Sequence, residues 1–157
     1  MQVEDYLIDH QGFDWPLLLA GWAWLLPADG FTVWLMNRYG DLFLVFEDDT
    51  VHMLDVGAGS LDKLAESRDE FLRMLDEVDN ANDWLMIPLV DSLVEAGKIL
   101  EPVRCYSFII PPVLGGKYTV ENTAALRIEE HYGAYASIHD QIKDLPDGAQ
   151  VRLRVIN

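Results

Sequence analysis

The sequence predicts an α+β fold, with an antiparallel sheet built from a meander plus C-terminal strands and packed with several helices. Three observations predict it. Short apolar runs near the front are separated by turn-forming residues, apolar residues then recur at helical spacing through the middle, and strand-like and helical stretches follow in mixed order. Strands gathered first and helices second argue against an alternating, doubly wound parallel sheet.

Taken in order, Trp15 to Leu26 reads as a buried helix. Pro16 suits a first helical turn, the residues after it are apolar almost all round, and Pro27 closes the run. Phe31–Met36, Leu42–Phe46 and Val51–Val56 read as strands, joined by hairpin turns at Arg38-Tyr39-Gly40-Asp41 and Glu47-Asp48-Asp49-Thr50. After Gly57-Ala58-Gly59 the spacing of Leu61, Leu64, Ala65, Phe71, Leu72, Leu75 and Val78 turns helical. Ser67-Arg68-Asp69-Glu70 inside that run is a capping box, so a helix is expected to start afresh at Ser67. A further helix has Pro88 near its first turn, Leu89, Val90, Leu93 and Val94 inward, and Gly97 as its stop. Arg104–Ile110 and Ala124–Glu129 are strand candidates. Tyr135, Ile138, Ile142 and Leu145 form a short amphipathic helix ended by Pro146-Asp147-Gly148, and Val151–Ile156 alternates as a last strand.

The chain of 157 residues fits one domain, 1–157, with half its residues hydrophobic and a net charge of −16. Such a charge opposes nucleic acid and anionic membrane as partners and favours a basic protein. Between Glu47 and Asp83 there are twelve acids against three bases. One cysteine cannot form an intramolecular disulfide, and the acidic N-terminus does not resemble a secretory signal, so a cytoplasmic location is expected.

No residue pattern nominates a catalytic, metal or cofactor site. In "PPVLGGKYTVEN" the pair Gly116-Lys117 lacks the upstream glycine and the following Ser or Thr of a phosphate loop, so the segment reads as a turn. At least one of Gly115 and Gly116 is expected at positive φ. Cys105, inside an apolar run, reads as a buried structural thiol. His131, Tyr135 and His139 share one side of a helix at a spacing that suits packing, at the surface or half-buried, better than a metal. Glu47-Asp48-Asp49 lacks the ligand spacing of a calcium loop and reads as a solvated hairpin tip.

Three blocks, "GDLFLVFEDDTVHMLDVGAGSLDKLAESRDEFLRML", "RCYSFIIPPVLGGKYTVEN" and "HDQIKDLPDGAQVRLRV", resemble the C-terminal domain of type VI secretion DNase-immunity proteins. That domain was formerly uncharacterised and is associated with GAD-like domains. The resemblance spans about residues 15–156, and the Ser67–Leu72 block is similar to the wider SMI1/KNR4-like immunity proteins. Larger relatives carry an additional N-terminal GAD-like domain. The resemblance implies a non-enzymatic cytoplasmic protein without cofactors that binds and neutralises a cognate toxin, a basic DNase. It also implies an architectural role for the 111–122 segment. On the charge argument, Glu47, Asp48, Asp49, Asp76, Glu77 and Asp79 are the expected partner-binding residues. The alternative is a housekeeping interaction or scaffold module of the same fold without a toxin partner.

Overall fold

A computed structural model describes residues 2–146 and 148 of the chain. The strand expected over Val151–Ile156 lies outside the described residues.

Five strands form an antiparallel sheet in sequence order: β1 (Leu7–Ile8), β2 (Phe31–Asn37), β3 (Leu42–Phe46), β4 (Val51–Asp55) and β5 (Ser60–Ala65). The two expected hairpin turns join β2 to β3 and β3 to β4, with Leu42 opposite Leu54 and Val45 opposite Val51. Strand β1 was not expected from the sequence, since two residues are too few to show alternation. Successive strand residues point to opposite faces, and both faces of this sheet are covered. Phe43 packs in one core with Phe71, Trp84 and Val90, whereas Leu42 and Leu44 on either side of it pack in another with Trp22, Ile128 and Tyr132. Double coverage explains why β3 reads LFLVF, apolar without interruption.

The first core is closed by α2 (Arg68–Leu75), α3 (Val78–Trp84) and α4 (Ile87–Glu95). The Ser67 hydroxyl oxygen accepts from the Glu70 amide at 3.1 Å, an N-cap that contributes about 1 kcal/mol. The Glu70 carboxylate reaches the amide of Glu66 at 3.5 Å rather than that of Ser67, so the capping box is only half made. Pro88 lies in the first turn of α4, and Val90 and Leu93 are buried as expected, but Val94 is half exposed. The other expected helical positions need correction. Leu61, Leu64 and Ala65 lie on β5, hydrogen-bonded to β4, and Val78 is exposed at the start of a separate helix.

The second core lies under α5 (Ile128–Ile142) and the N-terminal segment. The buried helix expected over Trp15–Leu26 is instead a single turn, α1 (Trp15–Leu18), followed by a 3-10 turn at Ala20–Trp22. Asp14 caps α1 by accepting from the Leu17 amide, and Pro16 occupies the first turn. Leu17 faces solvent. Gly21 sits where α5 crosses, and a Cβ there would lie 2.7 Å from that of Ala136.

Among the described residues, strands β6 (Arg104–Phe108) and β7 (Thr123–Arg127) pair only with each other. This ribbon is tied to the β2–β3 hairpin by a backbone bond from Tyr106 to Arg38 and by the 2.8 Å contact between the hydroxyls of Tyr39 and Thr123. Between the two strands runs the 111–122 segment. The Asn122 side chain holds it, donating to the carbonyls of Ile110 and Lys117 and accepting from the Ile110 amide at 2.8 to 2.9 Å. Gly115 has φ +90°, as expected for one of the pair, while Gly116 is required by close approach: a Cβ there would fall 1.7 Å from the Ile110 oxygen. That position tolerates no side chain. Gly116→Ala is therefore expected to destabilise by more than the roughly 1 kcal/mol typical of Ala at a left-handed position such as Gly115. Urea midpoints of the two variants check the order, and equal midpoints would mean that the loop opens at no cost.

Candidate protein-binding cleft

Two buried residues of the β2–β3 hairpin set the floor of a cleft. Asn37 uses its whole amide: its oxygen accepts from the amides of Tyr39 and Asp41, and its nitrogen donates to the Asp41 carboxylate and to the Trp84 carbonyl, all at 3.0 Å. The other Asp41 oxygen accepts from the Val56 amide at 2.9 Å. Asp41 is thereby held inside the protein, with no cation beside it among the described residues. Burial pushes its carboxyl well above the usual carboxylate range, and the Asp55 charge pushes it further.

Around Asp41 opens a cleft of about 380 Å³, bounded by β4, β5, the α3–α4 joint, the end of β6 at Phe108 and the 111–122 loop at Tyr118. Asp55, Asp62 and Asp83 line it together with Met53, Leu64, Met86, Leu89, Phe108 and Tyr118. Among the described residues, no lysine or arginine lines it. Burial raises the Asp55 carboxyl, and the charges of Asp62 and Asp83 add to the rise. The Tyr118 hydroxyl is likewise raised, by burial first and then by Asp55, Asp41 and Asp83. Met86, in the wall, caps α4 in the left-handed conformation at φ +54°. For a residue with a side chain this costs about 1–2 kcal/mol, a strain that concentrates at functional positions.

Tyr118 lines the cleft at its lip, and the loop that carries it exposes further apolar side chains. Ile109, Ile110, Val113 and Tyr118 are between 41% and 62% exposed on a loop clamped by Asn122, and Tyr118 stands edge-on to Phe108 at 4.9 Å. Grouped exposed apolar side chains on a rigid segment mark a contact surface.

The six acids expected to bind a partner fall into two groups flanking α2. Asp49 meets Arg68 at the start of that helix at 2.7 Å, an exposed pair worth little to stability. Asp48 accepts from the amide and hydroxyl of Thr50, which hold its carboxyl below the ordinary range, and Glu47 is exposed beside it. Asp76, Glu77 and Asp79 are exposed at the α2–α3 joint, about 12 Å along the helix by its eight-residue rise. Asp76 follows the last turn of α2, where the helix dipole repels an acid, so fold stability does not account for it. Asp79 and Asp83 are four positions apart on α3, which puts them on one face and continues this acidic group into the cleft. The cleft acids themselves were not singled out by the sequence. They come from a hairpin turn, two strands and a helix, and no spacing links them.

The remaining sequence candidates are structural. Cys105 is buried, and burial raises its thiol out of reactive range. His131, Tyr135 and His139 are buried in the core rather than half-exposed, which corrects the expectation. His131 Nδ1 bonds to the Ser107 hydroxyl at 2.9 Å, the Tyr135 hydroxyl donates to the Phe108 carbonyl at 2.8 Å, and His139 Nε2 donates to the Val56 carbonyl at 2.7 Å. The row thus fastens α5 to β6 and to the end of β4. Among the described residues no three His, Cys, Asp or Glu side chains converge as metal ligands would, and no helix is long and apolar enough to cross a membrane.

The described residues thus form an α+β domain with an acidic cleft beside an apolar loop. Residues 65–139, a little under half of the chain, match the family model described as T6SS immunity protein Tdi1, C-terminal. The match is shorter than the likeness over residues 15–156 expected from the sequence. Comparison with curated proteins gives no match. Among solved structures, the crystal structure of Atu4351 from Agrobacterium tumefaciens is similar in fold. It has a TM-score of 0.51 and 18% identity, and the likeness covers 76% of this chain and 62% of that one.

Proposed function

We propose that this protein is a non-enzymatic immunity protein that binds a toxin of a type VI secretion system in the cytoplasm and neutralises it. The observation that carries this reading is the match of residues 65–139 to an immunity family. The net charge of −16 supports a basic toxin, a nuclease above all, since the positive groove that a nuclease keeps for DNA attracts an acidic inhibitor through the same field. Glu47, Asp48, Asp49, Asp76, Glu77 and Asp79 supply part of that field.

The test reverses Asp48, Asp76, Glu77 and Asp79 to lysine together, sparing Asp49 because its carboxylate meets Arg68. Association is measured against a catalytically inactivated nuclease toxin of a type VI system, taken from the genome that encodes this chain. It is expected to slow by about ten- to a hundredfold at low salt, with the difference shrinking as salt rises. The thermal melt is expected to stay nearly unchanged, because exposed charges add little to stability. Unchanged association at low salt would remove these acids from recognition.

A further inference from the structure

We propose that the cleft over Asp41 is the docking site for one long basic side chain of a protein partner, with the apolar lip at Ile109, Ile110 and Tyr118 covering the residues beside it. The proposal rests on the immunity reading only for the partner being a protein. Its chemistry comes from the cleft. Carboxylates on a surface would by themselves be a solvated face, and two further features separate these from one.

Asp41 is a buried carboxyl whose hydrogen bonds come from an amide side chain and a backbone amide, with no cation beside it among the described residues. Burial disfavours the ionised form of such a carboxyl, and a cation entering the cleft would favour it. Above it the walls are apolar, formed by Met53, Leu64, Leu89 and Phe108, while Asp55, Asp62 and Asp83 are the charged groups that line the space. That pairing fits an arginine or lysine, whose aliphatic stem packs on apolar atoms while its head needs negative oxygens. Acidic peptides and phosphates are excluded by the same charges. The volume, about 380 Å³, lies in the lower part of the roughly 300–1,000 Å³ range of ligand clefts, enough for one side chain and not for a helix. The exposed lip then supplies the water-excluding contacts that surround a buried anchor in protein interfaces.

The test uses two peptides that differ by one charge, acetyl-Leu-Arg-Leu-amide and its citrulline counterpart, titrated into the full chain labelled with nitrogen-15. The arginine peptide is expected to shift the amide resonances of Asp55, Asp62, Asp83 and Tyr118 to saturation, and the citrulline peptide to leave them in place. The variant Asp62→Asn/Asp83→Asn, at two exposed positions, is expected to bind the arginine peptide about tenfold more weakly, whereas Glu130→Gln/Asp144→Asn on the α5 side changes it by less than about twofold. Equal shifts with both peptides, shifts centred on residues 47–49, or full affinity in Asp62→Asn/Asp83→Asn would each overturn the proposal. The two readings fail separately. Absence of peptide binding sinks the docking site even if cells are protected from a toxin, and specific peptide binding without protection upholds the site while sinking the immunity reading.

Discussion

Phe71→Ala is expected to cost about 3 to 5 kcal/mol, the range for removing a fully buried aromatic ring. Phe71 is 0% exposed and carries the contact of α2 with the sheet and with its neighbour helix. Its ring stacks on Trp84 at 5.2 Å and meets Trp34 and Phe43, each at 5.4 Å. Deleting it leaves three aromatic rings facing a void that none of them can fill without moving a backbone element. A domain with a total stability of about 5 to 15 kcal/mol would be left close to unfolding. The neighbouring residue is the control: Leu72 is 46% exposed on the outer side of the same helix, and Leu72→Ala is expected to cost less than about 1 kcal/mol. Urea denaturation of both variants checks the contrast, and equal midpoints would mean that α2 does not pack through Phe71.

The second large effect is a loss of stability in acid that originates at His131. Burial lowers the pKa of this imidazole from 6.5 to about 4, so it stays neutral in the folded protein. The unfolded chain binds a proton there near pH 6.5, and the folded one does not until about pH 4. Stability is therefore fully present above pH 6.5 and falls as pH drops through that window, by about 3 kcal/mol in all. His139 and His52, both lowered by burial, act in the same direction. Asp41 and Asp55 act oppositely, because their raised carboxyls take up protons in the folded state before the unfolded chain does. Comparison with His131→Gln isolates the one group. The variant is expected to be the less stable at pH 7, with the gap narrowing by about 3 kcal/mol by pH 4. A gap independent of pH would show that His131 titrates normally inside the fold.

Sequence and structure agree where a signal is local. The strand at Leu42–Phe46, the cap at Ser67, the proline start of α4 and the left-handed Gly115 each follow from two to six adjacent residues. Disagreement begins where short apolar runs fit two periods. Leu61, Leu64 and Ala65 match helical spacing, yet six residues joined to β4 by a tight turn pair as a strand, and a register shift beside Val51 brings Ala65 inward. Trp15–Leu26 is apolar enough for a buried helix, but the crossing of α5 at Gly21 leaves room for only a single turn before it. Burial of polar residues was the least legible feature. Asp41 and Tyr39 read as solvated turn residues and are instead enclosed, because the β6–β7 ribbon and α3 close over the hairpin from distant parts of the chain. For the same reason the acidic net charge was visible in the sequence, whereas the cleft that concentrates it on Asp41, Asp55, Asp62 and Asp83 was not.

The central claim, neutralisation of a toxin, is tested most directly by survival. Cells are made to express an active type VI toxin from the genome that encodes this chain, with and without this protein, and viable counts are taken after induction. The immunity reading predicts that co-expression restores growth to the uninduced level, that an unrelated type VI toxin is not neutralised, and that toxin and protein co-purify as a stoichiometric complex. Equal killing with and without the protein, at levels where it is soluble and folded, would contradict it.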